Sequence, residues 1–305
     1  MTAERQPRKD IEVDRIRSIS WFYLIADAVG SDKATEVRKA LEPHKNTVNR
    51  LGQDDKNEKF AHYRSGKRMP NATLIEYANR RVPGTQAYVE HTVWRVLRYR
   101  GPIQSEAIVW IGSLSSRAQN LMLSSKREVV ASAPPLQLEA LIKDRTLDGL
   151  AALTILLRLA LDRDDGIVAW KCAIAIFQAL VLMRNELVAL NVGQLLYELY
   201  ARRYLSSASK YSYVRAWDAF RFDLGSEVIH LYAELSRKKI NGRMRHPDFY
   251  LIQAMSESEP RHQDEFLPML IPDLEVGPPT EVGCQMLQER SELRLRLGMA
   301  SSGAS

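Results

Sequence analysis

The chain of 305 residues contains 45% hydrophobic and 26% charged residues, values typical of a soluble globular protein. This composition excludes wholesale disorder and collagen-like or mucin-like sequences, and the length suits one large domain or two to three smaller ones. The scarcity of glycine, with only 15 residues, argues against glycine-rich phosphate loops and turn-dense β-proteins and favours helices. The two cysteines, Cys172 and Cys284, are too far apart in sequence to predict a disulfide framework or a zinc knuckle, which is typical of the reducing cytoplasm.

The sequence carries no recognisable targeting or membrane-spanning signal. Residues 1–17 are charged and lack the apolar core of a secretory signal. The two most apolar stretches, Leu150–Leu161 and Ile167–Met183, are shorter than the roughly 20 residues that span a bilayer, and each contains a cation. We therefore expect a cytoplasmic protein without a membrane partner, in which both stretches form buried helices.

Positive charge is concentrated between residues 36 and 100. The whole chain has a formal net charge of +6, and this segment alone holds 14 basic and 7 acidic side chains. The rest of the chain is therefore close to neutral. A local excess of this kind is typical of a surface that binds a polyphosphate, although a solvated basic helix face has the same composition.

Apolar residues recur at helical spacing along most of the chain, and no stretch keeps the alternation of a β-strand. Stop and start signals, chiefly glycine, proline and capping residues, divide this pattern into segments. The predicted helices cover about 14–29, 34–41, 54–64, 71–81, 90–99, 105–123, 136–142, 147–161, 167–190, 192–205, 211–224 and 226–239. The sequence thus predicts an all-α protein.

Composition changes along the chain predict three regions. Residues 1–100 form a basic helical domain, and residues 101–247 form a bundle of Leu- and Ala-rich helices that end in the basic run 237–246. Residues 248–305 begin with an acidic stretch, 248–290, that contains five prolines. This composition predicts a partly irregular C-terminal segment, free to pack on the basic surface or to meet a partner.

Patterns that would indicate catalysis are nearly absent. The sequence contains no nucleophile elbow, phosphate loop or dinucleotide fingerprint. Glu227 and His230 form a single Glu-x-x-His pair, whereas a di-metal site in a helical bundle needs two such pairs. Trp217, Asp218 and Arg221 are better interpreted as part of a packed helix. We therefore predict a protein that is not an enzyme and that needs no metal or other cofactor.

One motif is specific. Residues 60–71 read Phe-Ala-His-Tyr-Arg-Ser-Gly-Lys-Arg-Met-Pro-Asn, an order that suits a helix ending at a glycine, a turn, and a second helix opened by a capping asparagine. Over about residues 54–82 the sequence resembles the end of the recognition helix in lambda-repressor-like (Xre-type) helix-turn-helix domains. The matching positions are Gly66 and Pro70 in the turn and four apolar residues that we expect to face the core, Phe60, Tyr63, Ile75 and Ala78. Two features of this sequence differ from the usual pattern of that family. Residue 64 is an arginine where the family usually has an acidic residue, and the upstream Gln-x-x-Leu-Ala is missing.

The resemblance implies a helix-turn-helix-like unit that binds double-stranded DNA. On this basis the polar face of the recognition helix would meet base edges, with Arg64 suited to guanine, and cations in the turn and at the next helix end would hold phosphates. The residues predicted to face the groove are Asn57, Lys59, His62 and Arg64, and those predicted to contact the backbone are Lys67, Arg68, Arg80 and Arg81.

The leading hypothesis is therefore a DNA-binding protein acting as a transcriptional regulator, with the helices behind the unit serving dimerisation or effector response. The alternative is an all-helical scaffold or protein-interaction protein without enzymatic activity. In that alternative the basic segment contacts an acidic protein partner or the acidic stretch 248–290 of the same chain.

Overall fold

The computed structural model describes residues 10–43 and 58–209, together with residues 222, 223, 225–227 and 230. Within these residues regular structure is helical, and the sole β-type pairing is an isolated bridge between Leu123 and Val129. The all-α prediction is confirmed. None of the described helices has the length and apolar character needed to cross a bilayer.

Several predictions from the sequence fall outside the described residues. These are Asn57, the start of the helix predicted at 54–64, most of the helices predicted at 211–224 and 226–239 with Trp217, Asp218 and Arg221, the basic run 237–246, the acidic segment 248–290, and Cys284.

The helices are short, apart from three that exceed 15 residues. The first six are α1 (Ile11–Val29), α2 (Ala34–Leu41), α3 (Lys59–Arg64), α4 (Ala72–Arg81), α5 (Thr85–Val89) and α6 (Thr92–Arg98). The next five are α7 (Ala107–Gly112), α8 (Ser116–Met122), α9 (Pro135–Asp144), α10 (Leu147–Asp162) and α11 (Gly166–Leu182). The described chain ends with α12 (Arg184–Ala189), α13 (Gly193–Tyr200), a π-helical turn (Ala201–Leu205) and α14 (Ser206–Ser209).

Capping residues explain several of the boundaries. The Asp10 side chain accepts a hydrogen bond from the Val13 N–H at the start of α1, and α1 ends at Gly30, whose φ is +72°. The N-cap position of α2 is not taken by Ser31 or Asp32, although both residue types commonly cap helices. Lys33 occupies that position without a side-chain bond, because the Ser31 hydroxyl instead accepts from the Lys33 N–H (3.3 Å).

Two predicted helices are each divided in two. The helix expected at 105–123 is interrupted between α7 and α8, where the Ser115 hydroxyl caps α8 by accepting from the Ala118 N–H. The helix predicted at 167–190 is interrupted at Met183, between α11 and α12, although no glycine or proline is present there. Leu187 of α12 is fully buried. Helix α5 was not predicted at all.

Buried side chains form two clusters that share α1. The C-terminal half of α1, with Trp21, Phe22 and Ile25, belongs to the smaller cluster, in which α1 packs against α2, α3 and α5 and which also includes residues of α4. The N-terminal half, through Val13 and Ile16, belongs to the larger cluster. A single helix therefore anchors the segment that carries the sequence motif to the rest of the protein.

The larger cluster is built around α10, which is buried on nearly every side and packs against α6, α8, α9 and α11. Its one cation, Arg158, donates to the backbone oxygens of Val96 and Gly101 (both 2.7 Å), and so satisfies one carbonyl in the last turn of α6 and one in the segment that follows. Because α6 packs here, the larger core includes residues that precede position 101. The predicted domain boundaries stay a prediction.

Candidate nucleic-acid interface

The turn after α3 has the geometry that the motif predicts. Gly66 has a φ of +70°, and its N–H donates to the Tyr63 oxygen (3.1 Å), while the Lys67 N–H donates to the His62 oxygen (2.9 Å). These two bonds form a Schellman motif, which fixes the path of the chain where α3 ends. The Asn71 side chain then caps α4 by accepting from the Leu74 N–H (2.9 Å).

The apolar positions of the motif form the core beneath this turn. Phe60 and Tyr63 are 1% and 3% exposed, and their rings meet edge to face with centroids 5.5 Å apart. Ile75 and Ala78, the positions matched in the following helix, are also buried. The expectation that these four residues face the core is confirmed.

The turn is docked on α1. A Cβ added to Gly66 would lie 2.5 Å from Cγ and 2.9 Å from the backbone oxygen of Arg15, so residue 66 has no room for a side chain. One helical turn further along α1, the Ser18 hydroxyl donates to the Arg68 oxygen (2.6 Å). The turn and α1 therefore form one rigid surface.

Two of the predicted groove-facing residues lie close to carboxylates of the protein itself. The Lys59 ammonium lies 3.1 Å from Glu42 at the end of α2, and the imidazole of His62 lies 3.6 Å from the Glu58 carboxylate. Lys59 is the more enclosed of the two, because its side chain is 27% exposed and that of Glu42 only 9%. The Lys59 pair therefore also ties α3 to α2.

Arg64 is held in a similar way. Its guanidinium donates to the Asp32 carboxylate (3.0 Å) and lies 3.4 Å from the Tyr23 hydroxyl. The hydrogen bond with Tyr23 raises the pKa of Arg64, and the Asp32 charge adds to this effect in spite of partial burial. Both members of the ion pair stay open to solvent, with side chains 43% and 61% exposed.

Lys67 and Arg68 differ from the other predicted residues. Both are exposed, and neither side chain makes an ion pair or a hydrogen bond with any described residue. Since their backbone is fixed by the Schellman motif and by Ser18, their position on the surface is defined although no described carboxylate neutralises their charges.

Arg80 and Arg81 lie at the end of α4. Arg80 pairs with Glu76 one turn earlier (2.6 Å), and both side chains are well exposed. Arg81 donates to the Ala40 backbone oxygen and to the Tyr77 hydroxyl (2.9 Å), so it helps to join α4 to α2. The predicted residues are thus distributed around the smaller cluster, and the structure does not bring them to a single point.

Sequence reasoning missed Arg15 as a candidate. It is exposed on α1, has no ion pair or side-chain hydrogen bond with a described residue, and borders the turn that carries Lys67 and Arg68. Arg15 is far from the motif in sequence. The only signal that could have indicated it is the glycine at position 66, which requires another chain segment to pass close by.

Other chemistry-bearing residues have structural roles where the structure describes them. Glu227 lies 3.5 Å from Arg184, and the His230 imidazole contacts the Val181 oxygen (2.9 Å), so the two make separate contacts. Among the described residues, no three His, Cys, Asp or Glu side chains are grouped as a metal site would require. Burial raises the pKa of the Cys172 thiol to about 12, which keeps it protonated and unreactive at neutral pH.

No protein-family model, curated protein or solved structure matches the chain.

Proposed function

We propose that the protein binds double-stranded DNA through the surface formed by α3, the turn at residues 65–71, and α4. The observation that carries this proposal is a pair of exposed cations, Lys67 and Arg68, that make no ion pair with any described residue and lie on a rigid turn between two helices. Cations without an internal partner can contact phosphates without first breaking an ion pair, and each contact releases counterions from the duplex. The role of transcriptional regulator is what the helix-turn-helix resemblance implies.

Arg64 and Arg80 remain available to DNA in spite of their ion pairs. Exposed pairs of this type contribute only about 0–1 kcal/mol, because water and salt screen them. A phosphate or a guanine edge can therefore replace Asp32 or Glu76 at little cost. Lys59 and Arg81 are less available, since their contacts join α3 and α4 to α2.

A fluorescence-anisotropy titration of labelled random duplex DNA with the full chain tests this proposal. We expect binding at 50 mM salt and at least about a tenfold weaker affinity at 200 mM, as the neutralisation of two or more phosphates requires. The double substitution Lys67→Ala and Arg68→Ala should weaken binding for all sequences, whereas Lys126→Ala, an exposed lysine in the loop after α8, should not. Absence of binding at 50 mM salt would refute the proposal.

The alternative function, a helical interaction protein, is favoured by a different observation. Five of the seven described site residues contact groups of the protein itself, as expected if the basic segment mainly stabilises the fold. In addition, Leu136 and Ile167, at the starts of α9 and α11, are 79% and 72% exposed. Two results together would favour the alternative. The chain would not bind DNA at low salt, and it would self-associate in a way that Leu136→Ser abolishes.

A further inference from the structure

We infer that Arg15 of α1 forms one phosphate-binding site with Lys67 and Arg68, so that α1 and the turn together hold the sugar–phosphate backbone of the duplex. This inference rests on the proposed DNA binding and adds to it a residue and a helix that lie outside the sequence motif.

Close packing at Gly66 brings the three cations together. The position of a Cβ on Gly66 would fall 2.5 Å from Cγ of Arg15, so the Arg15 side chain leaves α1 directly beside the residue that precedes Lys67. Ser18 lies three residues after Arg15 and therefore on the same face of α1, and its hydroxyl donates to the Arg68 oxygen (2.6 Å). Contacts at both ends thus hold the segment 66–68 against one face of α1.

Nearby acidic residues do not neutralise this site. Asp14 contacts the guanidinium groups of Arg17 (3.0 Å) and Arg98, and Glu12 contacts those of Arg202 (2.6 Å) and Arg203. Arg15, Lys67 and Arg68, in contrast, make no side-chain ion pair with any residue in the described part of the chain. Asp14 and Glu12, the acidic residues of α1 closest to Arg15 in sequence, are thus directed to other cations, and no described carboxylate pairs with the three cations beside Gly66.

The arrangement suits the chemistry of a phosphodiester. Its two non-bridging oxygens accept the parallel N–H bonds of an arginine, and lysine adds a compact charge. The backbones of all three residues are already ordered, by α1 for Arg15 and by the Schellman motif and Ser18 for the other two, so binding must order only their side chains. Contacts of this kind position the duplex and do not read its sequence.

The dependence of DNA affinity on salt concentration tests the inference in the full chain. The variant Arg15→Gln removes the charge but keeps the aliphatic stem that packs on Gly66, and Arg15→Lys keeps the charge. The matched control is Lys171→Gln, which removes from α11 an exposed charge that pairs with no described residue and lies outside the smaller cluster. Each variant is titrated with the same random duplex between 50 and 200 mM salt.

We expect Arg15→Gln to weaken binding at 50 mM salt and to lower the slope of log affinity against log salt by about one, with Arg15→Lys and Lys171→Gln close to the unchanged chain. If Arg15→Gln binds like Lys171→Gln while the unchanged chain binds DNA, the inference is wrong and the proposed function stands. If the unchanged chain shows no binding, both are wrong.

Discussion

The guanidinium of Arg64 lies 3.0 Å from the carboxylate of Asp32, and this pair joins the end of α3 to the loop between α1 and α2. Arg64 is the predicted groove-facing residue best suited to guanine, because an arginine can donate two parallel hydrogen bonds to that base. Since both side chains are exposed, the pair places the guanidinium on the surface without burying it. The contact therefore orients Arg64 at a cost that DNA can overcome.

Removing the Asp32 charge should strengthen DNA binding. In the variant Asp32→Asn, Arg64 loses its ion-pair partner and the surface loses one negative charge, so we expect affinity for duplex DNA to rise by up to about fivefold. The control is Glu128→Gln, which removes an exposed acidic charge from the loop after α8. Anisotropy titrations at 50 mM salt make the comparison. Equal affinities for the two variants would show that Arg64 does not contact DNA.

Gly66→Ala should be far more destabilising than Gly30→Ala. Both glycines have a φ near +70°, where an alanine costs about 1–2 kcal/mol. A new Cβ at residue 30 meets no atom within 4 Å, whereas at residue 66 it meets the Arg15 backbone oxygen at 2.9 Å. Overpacking adds about 1–3 kcal/mol, so we expect Gly66→Ala to lower the free energy of unfolding by about 3 kcal/mol in urea denaturation. Similar losses for both variants would contradict the close packing of the turn on α1.

The pairing of Arg203 with Asp10 should control stability in acid. Arg203 donates to both oxygens of Asp10 (2.8 and 2.9 Å), and both side chains are almost completely buried. Burial raises the pKa of Asp10, but hydrogen bonds from Arg203 and Val13 and the charges of Arg203 and Arg100 outweigh it and hold the pKa below its ordinary value. The pair therefore stabilises the fold above about pH 4, and this contribution is lost as pH falls through the lowered pKa.

Replacing that arginine by Arg203→Met should cost about 3 kcal/mol at neutral pH, since it leaves a buried carboxylate without its main partner. The pKa of Asp10 should then rise, so that stability begins to decline at a higher pH than in the unchanged chain. Urea denaturation between pH 3 and pH 7 measures both effects. The same acid profile in both proteins would show that Asp10 does not depend on Arg203.

His91 should confer a second pH dependence. Its Nδ1 accepts the Val93 N–H (3.1 Å) at the start of α6, so the proton of the neutral ring lies on Nε2 and is donated to Asp148 (3.0 Å). Burial lowers the pKa of His91, although Asp148 opposes this effect, and the occupied Nδ1 also disfavours a second proton. Stability should therefore be complete above about pH 6.5 and decline as pH falls from there through the lowered pKa.

The variant His91→Asn keeps a side chain that caps helices well but cannot titrate. We expect its unfolding free energy to change less between pH 7.5 and pH 5.5 than that of the unchanged chain. If both proteins lose the same stability over this interval, the pH dependence comes from another group.

Local signals predicted the fold well where a single residue decides the structure. Gly30 and Gly66 end helices with a positive φ, and Asn71 caps α4, because each acts on the backbone within a few positions. The break at Met183 was not predicted, because it follows from how α11 and α12 pack and involves no helix-breaking residue.

The candidate site likewise combines features that neighbouring residues determine with contacts that only tertiary packing produces. The motif predicted that Phe60 and Tyr63 are buried and that Lys67 follows a glycine turn, since these features depend on residues close in sequence. It could not predict the Arg64–Asp32 pair or the proximity of Arg15, because both join segments that only tertiary packing brings together.

Photo-crosslinking from the turn measures most directly whether DNA lies on this surface. Cysteines introduced as Ser65→Cys and, for control, Ser125→Cys would carry a thiol-linked benzophenone in a Cys284→Ser background, where the buried Cys172 stays unreactive. Both serines are exposed and neutral, so neither change removes a charge. At 50 mM salt we predict a covalent adduct with duplex DNA from residue 65 and little from residue 125. Equal yields from both positions, or none from residue 65, would contradict DNA binding by the turn.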